Sequence, residues 1–175
     1  MSQMEMFDNE GAWLARMRKT WQENIRKDTT YCPCCDRPGR VNKHRLTKVL
    51  ALTLRWIMAH GSDDGWVNVQ SKAPRWILRS KTYSLLEHWG LVESKSFRSG
   101  IWRITPKGAS FVTGIITVPE AAYVYDAKVV AWEPVQTTFR ACFDHSFDFD
   151  AMMSETYDWS SLIIEPSPKP KRRRK

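Results

Sequence analysis

Three of the four cysteines lie within four residues, in the segment YCPCCDRPG (31–39). Cys32 and Cys35 have the spacing of two zinc ligands, in a loop whose Pro and Gly residues allow the chain to wrap around a metal ion. A tetrahedral site needs four ligands, and Cys142 and His145 form a second pair with the same spacing. The sequence therefore predicts a structural zinc site made by Cys32, Cys35, Cys142 and His145.

Other roles for these cysteines remain open. Cys34 and His44 are substitute zinc ligands, and Cys142 also fits the role of a small buried hydrophobic side chain. A disulfide framework is not expected in an intracellular chain. Redox chemistry at the Cys-Pro-Cys-Cys run requires a thioredoxin-like strand and helix around it, and the sequence does not provide them.

The charge of the chain is basic and unevenly distributed. The 175 residues include 27 Lys and Arg against 19 Asp and Glu, for a net charge of +8. Residues 1–114 carry a net +9, residues 115–166 a net −7, and residues 167–175 a net +6. Basic segments favour a polyanion, most often nucleic acid. The acidic segment either contacts a partner or a second copy, folds back on the basic face, or forms a solvated face.

Several classes of protein are not expected. No apolar run approaches the ~20 residues of a transmembrane helix, and the acidic beginning of the chain lacks the apolar region of a secretory signal. A cytoplasmic location without membrane contact is therefore expected. The motifs of phosphate-binding loops, serine hydrolases and zinc proteases are missing, and none of the four histidines pairs with a nucleophile, so we do not expect an enzyme.

Hydrophobic periodicity and turn residues predict an α+β chain. The predicted elements are a helix at 10–27, the cysteine loop, a helix at 43–61, a strand at 66–69, helices at 73–78 and 81–89, strands at 91–97 and 101–104, and a helix at 107–112. Ser80 is predicted to cap the 81–89 helix, and Thr105 with Pro106 to begin the 107–112 helix. Strands at 115–118, 123–125 and 129–132 and short helices at 138–143 and 147–153 are expected to follow.

Residues 83–112, YSLLEHWGLVESKSFRSGIWRITPKGASFV, carry a recognisable pattern. Paired leucines precede Gly-Leu-Val, and a charged turn between two strands leads to Thr-x-x-Gly at the beginning of a helix. With the elements before it, this region resembles the winged helix-turn-helix family over residues 43–114. The whole chain is also similar to small uncharacterised winged-helix proteins of tailed bacteriophages. Together with the charge distribution and the predicted elements, the resemblance divides the chain into four parts: an N-terminal helix and cysteine loop (1–42), the winged-helix domain (43–114), an acidic α/β extension (115–165) and a disordered basic tail (166–175).

The resemblance also implies a nucleic-acid interface. The second helix of a helix-turn-helix enters the major groove, where base edges present a unique pattern of donors and acceptors. The implied contacts of that helix are Arg79, Ser80, Lys81, Tyr83, Ser84 and His88. The wing offers Lys95, Arg98, Ser99 and Arg103 to phosphates or the minor groove, and Arg75 is a phosphate contact from the preceding helix.

Two functional hypotheses follow. The first is a DNA-binding protein, a phage-type transcriptional regulator that binds double-stranded DNA. It would form a homodimer through the Trp13 and Trp21 helix or through residues 115–164. The alternative is a phage-encoded interaction or inhibitor module, which would use the winged helix and the acidic segment against a host protein or host defence.

Overall fold

The computed structural model describes residues 3–162, which fold as a mixed α+β protein, as predicted. The helices are α1 (Gln3–Lys27), α2 (Lys48–His60), α3 (Val69–Lys72), α4 (Arg75–Ser80), α5 (Pro106–Val112) and α6 (Phe149–Met153), with 3₁₀ helices at Tyr83–Trp89 and Arg140–Cys142. The strands are β1 (Thr30–Tyr31), β2 (Pro38–Gly39), β3 (Asn42–Arg45), β4 (Val67–Asn68), β5 (Val92–Ser94), β6 (Ile101–Ile104), β7 (Val118–Pro119), β8 (Ala121–Tyr125), β9 (Lys128–Trp132) and β10 (Gln136–Thr137). The predicted basic tail, 166–175, lies outside the described residues.

The described chain divides into two compact units. The first contains residues 3–44 and 121–132, and the second contains residues 45–120 and 133–162. Strand β8 lies between β3 and β9 in one sheet, which is why the 121–132 hairpin groups with the beginning of the chain. In the predicted division this hairpin was part of the acidic extension. No helix within residues 3–162 has both the length and the apolar character needed to span a bilayer.

The first unit packs around Trp21 and Ile25 on the predicted apolar stripe of α1. Ile25 is buried, and the Trp21 ring meets Tyr125 of β8 edge to face, with 5.6 Å between ring centroids. Trp21 also covers Gly39 so closely that a Cβ at Gly39 would lie 2.4 Å from the indole. Trp13, in contrast, is 49% exposed. Burial of the apolar side chains of α1 therefore increases towards its C-terminal end, from the exposed Trp13 through the half-buried Leu14 and Met17 to Ile25.

Helix α2 is the centre of the second unit. All residues from Leu50 to Ile57 are buried, so the helix is covered on every side, as expected of a core helix. Thr47 caps it by accepting a hydrogen bond from the Leu50 N–H. The helix therefore begins at Lys48, five residues later than predicted. Residues 42–45 form β3 instead, because they pair with β8, a partner almost eighty residues away in sequence.

A three-stranded sheet of order β4-β6-β5 packs beside α2. Its pairs are antiparallel, with Val67 opposite Trp102 and Val92 opposite Ile104. Helix α5 follows β6, and its beginning is as predicted, since Thr105 accepts from the Gly108 N–H and Pro106 occupies the first turn. These elements set the position of the turn between β5 and β6.

The part of the acidic segment at 133–162 folds onto α2 and α4 of the second unit. Its phenylalanines form a cluster around the buried Phe139, which meets Phe111 of α5 at 5.7 Å. The buried Arg55 of α2 donates to the Met153 carbonyl at 3.0 Å, and the Trp76 indole of α4 donates to the Trp159 carbonyl at 3.0 Å. The segment is therefore an integral layer of this unit.

Asp144 in this segment predicts an acid-sensitive interaction with α2. Hydrogen bonds from the Ser146 hydroxyl and from the Lys48 ammonium, at 2.9 Å, lower the pKa of Asp144 to about 2. A lowered pKa in the folded state means that this interaction stabilises the fold above the ordinary aspartate pKa and disappears as pH falls towards 2. Ser146→Ala should raise the Asp144 pKa, measured by NMR titration of its carboxyl carbon. An unchanged pKa would contradict this assignment, and Ser154→Ala is the matched control.

Candidate nucleic-acid interface

Helix α4 holds the first pair of predicted contacts. Arg75 and Arg79 stand four residues apart, so they share one face of the helix. Both are exposed, whereas Trp76 and Ile77 between them are buried in the core of the second unit. The helix is therefore anchored by its apolar face and presents two guanidinium groups to solvent.

The predicted cap and helix at 80–89 differ from the structure. Ser80 is the last residue of α4, and its hydroxyl donates to the Ile77 carbonyl at 2.8 Å rather than capping a following helix. Lys81 takes a left-handed conformation (φ 51°), which ends α4. The next element, Tyr83–Trp89, is a 3₁₀ helix and not the predicted α-helix. Its buried Leu86 and Trp89 hold it against the core, as expected from the apolar pattern.

The predicted contacts on this 3₁₀ helix, and Lys81 just before it, have different environments. Lys81 and Ser84 are exposed, while Tyr83 and His88 are half-buried. The Tyr83 ring packs edge to face on Trp102 of β6, with 5.8 Å between centroids. Tyr83 thus serves the packing between this helix and the sheet, and only part of its surface is open to a ligand.

The turn between β5 and β6 is a tight, braced loop, which we call the wing (residues 95–100). The Lys95 N–H donates to the Ile101 carbonyl at 3.0 Å, and the Ser99 N–H donates to the Ser96 carbonyl at 3.2 Å. Arg98 has a positive φ of 58°. At Gly100 (φ 69°) a Cβ would lie 2.7 Å from the Gln70 side chain, so the base of the wing contacts α3 closely. Lys95 and Arg98 are exposed on this frame, and Ser99 is half-buried.

Trp66 brings two of the predicted wing residues together. The Arg103 guanidinium lies 4.5 Å from the centre of the indole, and the Lys95 ammonium lies 5.9 Å from it. Arg103 also forms an ion pair with Glu93, its cross-strand partner. Because Glu93 pairs with the Arg103 guanidinium, the positive charge of Arg103 is largely compensated. Lys95 and Arg98 are the wing cations more open to a ligand. The predicted site did not include Trp66, although its position just before a short strand was a usable signal.

Four cations of the predicted site take no part in the ion pairs among the described side chains. Within residues 11–162, no ion pair involves Arg75, Arg79, Lys81 or Arg98. Lys95 is near enough to Asp64 to help lower its pKa, after larger contributions from hydrogen bonds to Ser62 and Trp66. Lys95 and the four cations named above all remain exposed beside the described part of the acidic segment. Each of these five side chains is therefore open to solvent on its own element.

The predicted zinc ligands are distributed over the two units. Cys32, Cys34 and Cys35 occupy the tip of the β1–β2 hairpin in the first unit, where the Cys32 N–H donates to the Arg37 carbonyl at 2.9 Å. Backbone N–H groups of Cys34 and Cys35 donate to the Cys32 sulfur and lower the pKa of that thiol. Such hydrogen bonds favour a thiolate, the form that binds a metal ion.

The other two predicted ligands lie in the second unit. The Cys142 thiol donates to the Thr138 carbonyl at 3.6 Å, and burial raises its pKa to about 11. His145 is exposed. In the part of the chain that the structure describes, no three His, Cys, Asp or Glu side chains gather as a metal-binding group. The zinc site of Cys32, Cys35, Cys142 and His145 stays a prediction.

Comparison with known proteins adds no relative to this description. No family model, no curated protein and no solved structure matches the chain.

Proposed function

We propose that the second unit is a winged helix-turn-helix module that binds double-stranded DNA, and that the protein is a cytoplasmic, phage-type transcriptional regulator. The observation that carries this proposal is a set of exposed cations on α4, on the residue that follows it and on the wing that form no ion pair within residues 11–162: Arg75, Arg79, Lys81 and Arg98. The elements that carry these four cations are held in place by apolar contacts. The cations are therefore able to bind phosphates without loss of packing.

The order of the elements supports the same proposal. Helix α2 is followed by a short strand, two short helices, the 3₁₀ helix and a two-stranded hairpin, and the short strand joins the hairpin in one sheet. In a winged helix this order sets the recognition element and the wing beside each other. Here the packing of Tyr83 on Trp102 joins the 3₁₀ helix directly to the central strand of the wing sheet.

The proposed roles of the residues follow from their exposure. The proposed recognition element is the 3₁₀ helix Tyr83–Trp89. Base edges or phosphates are contacted by Ser84 near its beginning and by Arg79 and Lys81 just before it, while Arg75 contacts the DNA backbone. On the wing, Lys95 and Arg98 contact phosphates or the minor groove. Arg103, Ser99 and the half-buried Tyr83 and His88 hold these elements in place and add contacts with their exposed edges.

Salt-dependent binding tests the proposal. The basic tail would bind DNA by itself, so the reference protein is a full-length variant whose six tail Lys and Arg residues are replaced by Gln. We expect this reference to bind duplex DNA with an affinity that falls as salt rises. Adding Arg75→Gln, Arg79→Gln, Lys81→Gln and Arg98→Gln should reduce the log–log slope by about 0.9 for each phosphate that the protein no longer binds. Fluorescence anisotropy over a salt series measures both slopes.

The matched control for this experiment replaces cations outside the interface. Arg16→Gln and Arg18→Gln change two exposed charges on α1 of the first unit and should leave the slope unchanged. If the tail-neutralised reference shows no salt-sensitive affinity for duplex DNA, the proposal fails. The alternative, an inhibitor module for a host protein, would then be the hypothesis to pursue by capture of partners on the immobilised protein.

A further inference from the structure

One residue at the tip of the wing is not explained by charge. Phe97 is 85% exposed, although a phenylalanine gains stability from burial. The other phenylalanines whose side chains are described, all in the second unit, are buried or half-buried. Phe97 is therefore the one described phenylalanine that takes no part in a core, and its position is the outermost part of the wing.

The wing holds Phe97 in a defined place. The Ser99 N–H to Ser96 carbonyl hydrogen bond closes a β-turn with Phe97 and Arg98 as its central residues. The base of the turn is tied to α3, because the Val69 N–H donates to the Gly100 carbonyl at 2.9 Å. A side chain on such a braced turn loses less conformational freedom on binding than one on a long loop.

The neighbours of Phe97 are polar or cationic. The Arg98 guanidinium lies 4.8 Å from the centre of the Phe97 ring, and the other residues of the same turn are Lys95, Ser96 and Ser99. Anchor residues of a protein interface usually cluster with other anchors at its centre. An apolar side chain set among cations instead fits nucleic acid, where it enters between bases while the cations bind the flanking phosphates.

We propose that Phe97 is a wedge that inserts between two base pairs from the minor groove and bends the duplex. This inference rests on the proposed DNA-binding function and adds its mode: the wing would select flexible pyrimidine–purine steps, which unstack at the lowest cost. Arg98 and Lys95 bind the phosphates on either side of the opened step. Specificity at that step then arises from deformability and not from hydrogen bonds to bases.

The test measures binding and bending in the same sample. The probe is a duplex of about 30 base pairs with a central TA step, with a donor and an acceptor dye at its ends. A second duplex carries 2-aminopurine at the TA step, since its fluorescence rises when the base unstacks. All variants carry the tail-neutralised background described above, because the basic tail would bind DNA by itself. For this reference protein we expect energy transfer and 2-aminopurine fluorescence to rise on binding. For Phe97→Ala we expect neither signal to rise, while anisotropy shows affinity reduced by less than about tenfold, because the phosphate contacts remain.

Two further variants sharpen the outcome. Phe97→Leu keeps an apolar wedge and should keep part of the bend, whereas Ser96→Ala, an exposed neighbour in the same turn, should behave as the reference protein. Bound DNA that stays straight, or that is bent equally by Phe97→Ala, would overturn the wedge and leave the proposed DNA binding intact. Absence of duplex binding by anisotropy would overturn both, and a partner protein whose capture depends on Phe97 would also count against the wedge.

Discussion

Replacing Gly108 with alanine is expected to lower the free energy of unfolding by about 3 kcal/mol, the upper part of the range for overpacked sites. Gly108 lies in α5, where the helix crosses the chain at Leu91. A Cβ at this position would lie 2.1 Å from the Leu91 carbonyl oxygen and 2.8 Å from an Ile104 side-chain carbon. The nearer atom belongs to the backbone, so relief requires α5 to move away from the sheet.

Urea denaturation followed by circular dichroism measures this change. The matched control is Gly11→Ala, since Gly11 lies in α1 with nothing within 4 Å of an added Cβ. Alanine there should stabilise the helix by up to about 1 kcal/mol, because glycine is the poorer helix former. Equal stability of Gly108→Ala and the unaltered protein would show that α5 does not approach Leu91 as closely as the structure has it.

The second large effect is expected at Trp89, which ends the 3₁₀ helix. This side chain is buried, and its indole N–H donates to the Pro119 carbonyl at 2.8 Å. Trp89→Ala should cost about 4 kcal/mol of unfolding free energy, as is usual for a buried tryptophan. Trp89→Phe keeps much of the packing and removes the hydrogen bond. It should therefore lower the unfolding free energy by about 1–2 kcal/mol.

Trp13→Ala is the control for Trp89, because Trp13 is 49% exposed and should change stability by only about 0.5 kcal/mol. The same denaturation experiment applies, with circular dichroism as the signal because tryptophan fluorescence changes with the substitution. If Trp89→Ala and Trp13→Ala were equally stable, the 3₁₀ helix would not be held by its C-terminal residue.

Local signals in the sequence predicted the elements that depend on neighbouring residues. The Thr105–Pro106 start of α5 and the turn between β5 and β6 are examples, since a cap and a short hairpin involve only a few residues. The strand β3 could not be predicted in this way. Its four residues, Asn-Lys-His-Arg, lack an apolar alternation, and they become a strand through pairing with β8 far along the chain.

The candidate site was predictable in composition but not in geometry. The basic residues of α4 and the wing are visible in the sequence, and their exposure agrees with a binding surface. The left-handed Lys81 was not predictable, because a lysine with positive φ is uncommon and no glycine marks the position. The ion pair of Arg103 with Glu93 was also hidden, since it depends on the cross-strand register.

The discontinuity of the first unit has a consequence for synthesis on the ribosome. Residues 3–44 are synthesised before the hairpin 121–132 that completes their sheet, with 76 residues between them. Until then β3 lacks its partner strand β8 and Trp21 lacks its contact with Tyr125, and such unpaired edges and exposed apolar side chains attract chaperones and favour aggregation. The sheet of the first unit is therefore completed late in synthesis. A ribosomal pause before residue 132 would prolong the incomplete state, and a stop before residue 132 would make it permanent.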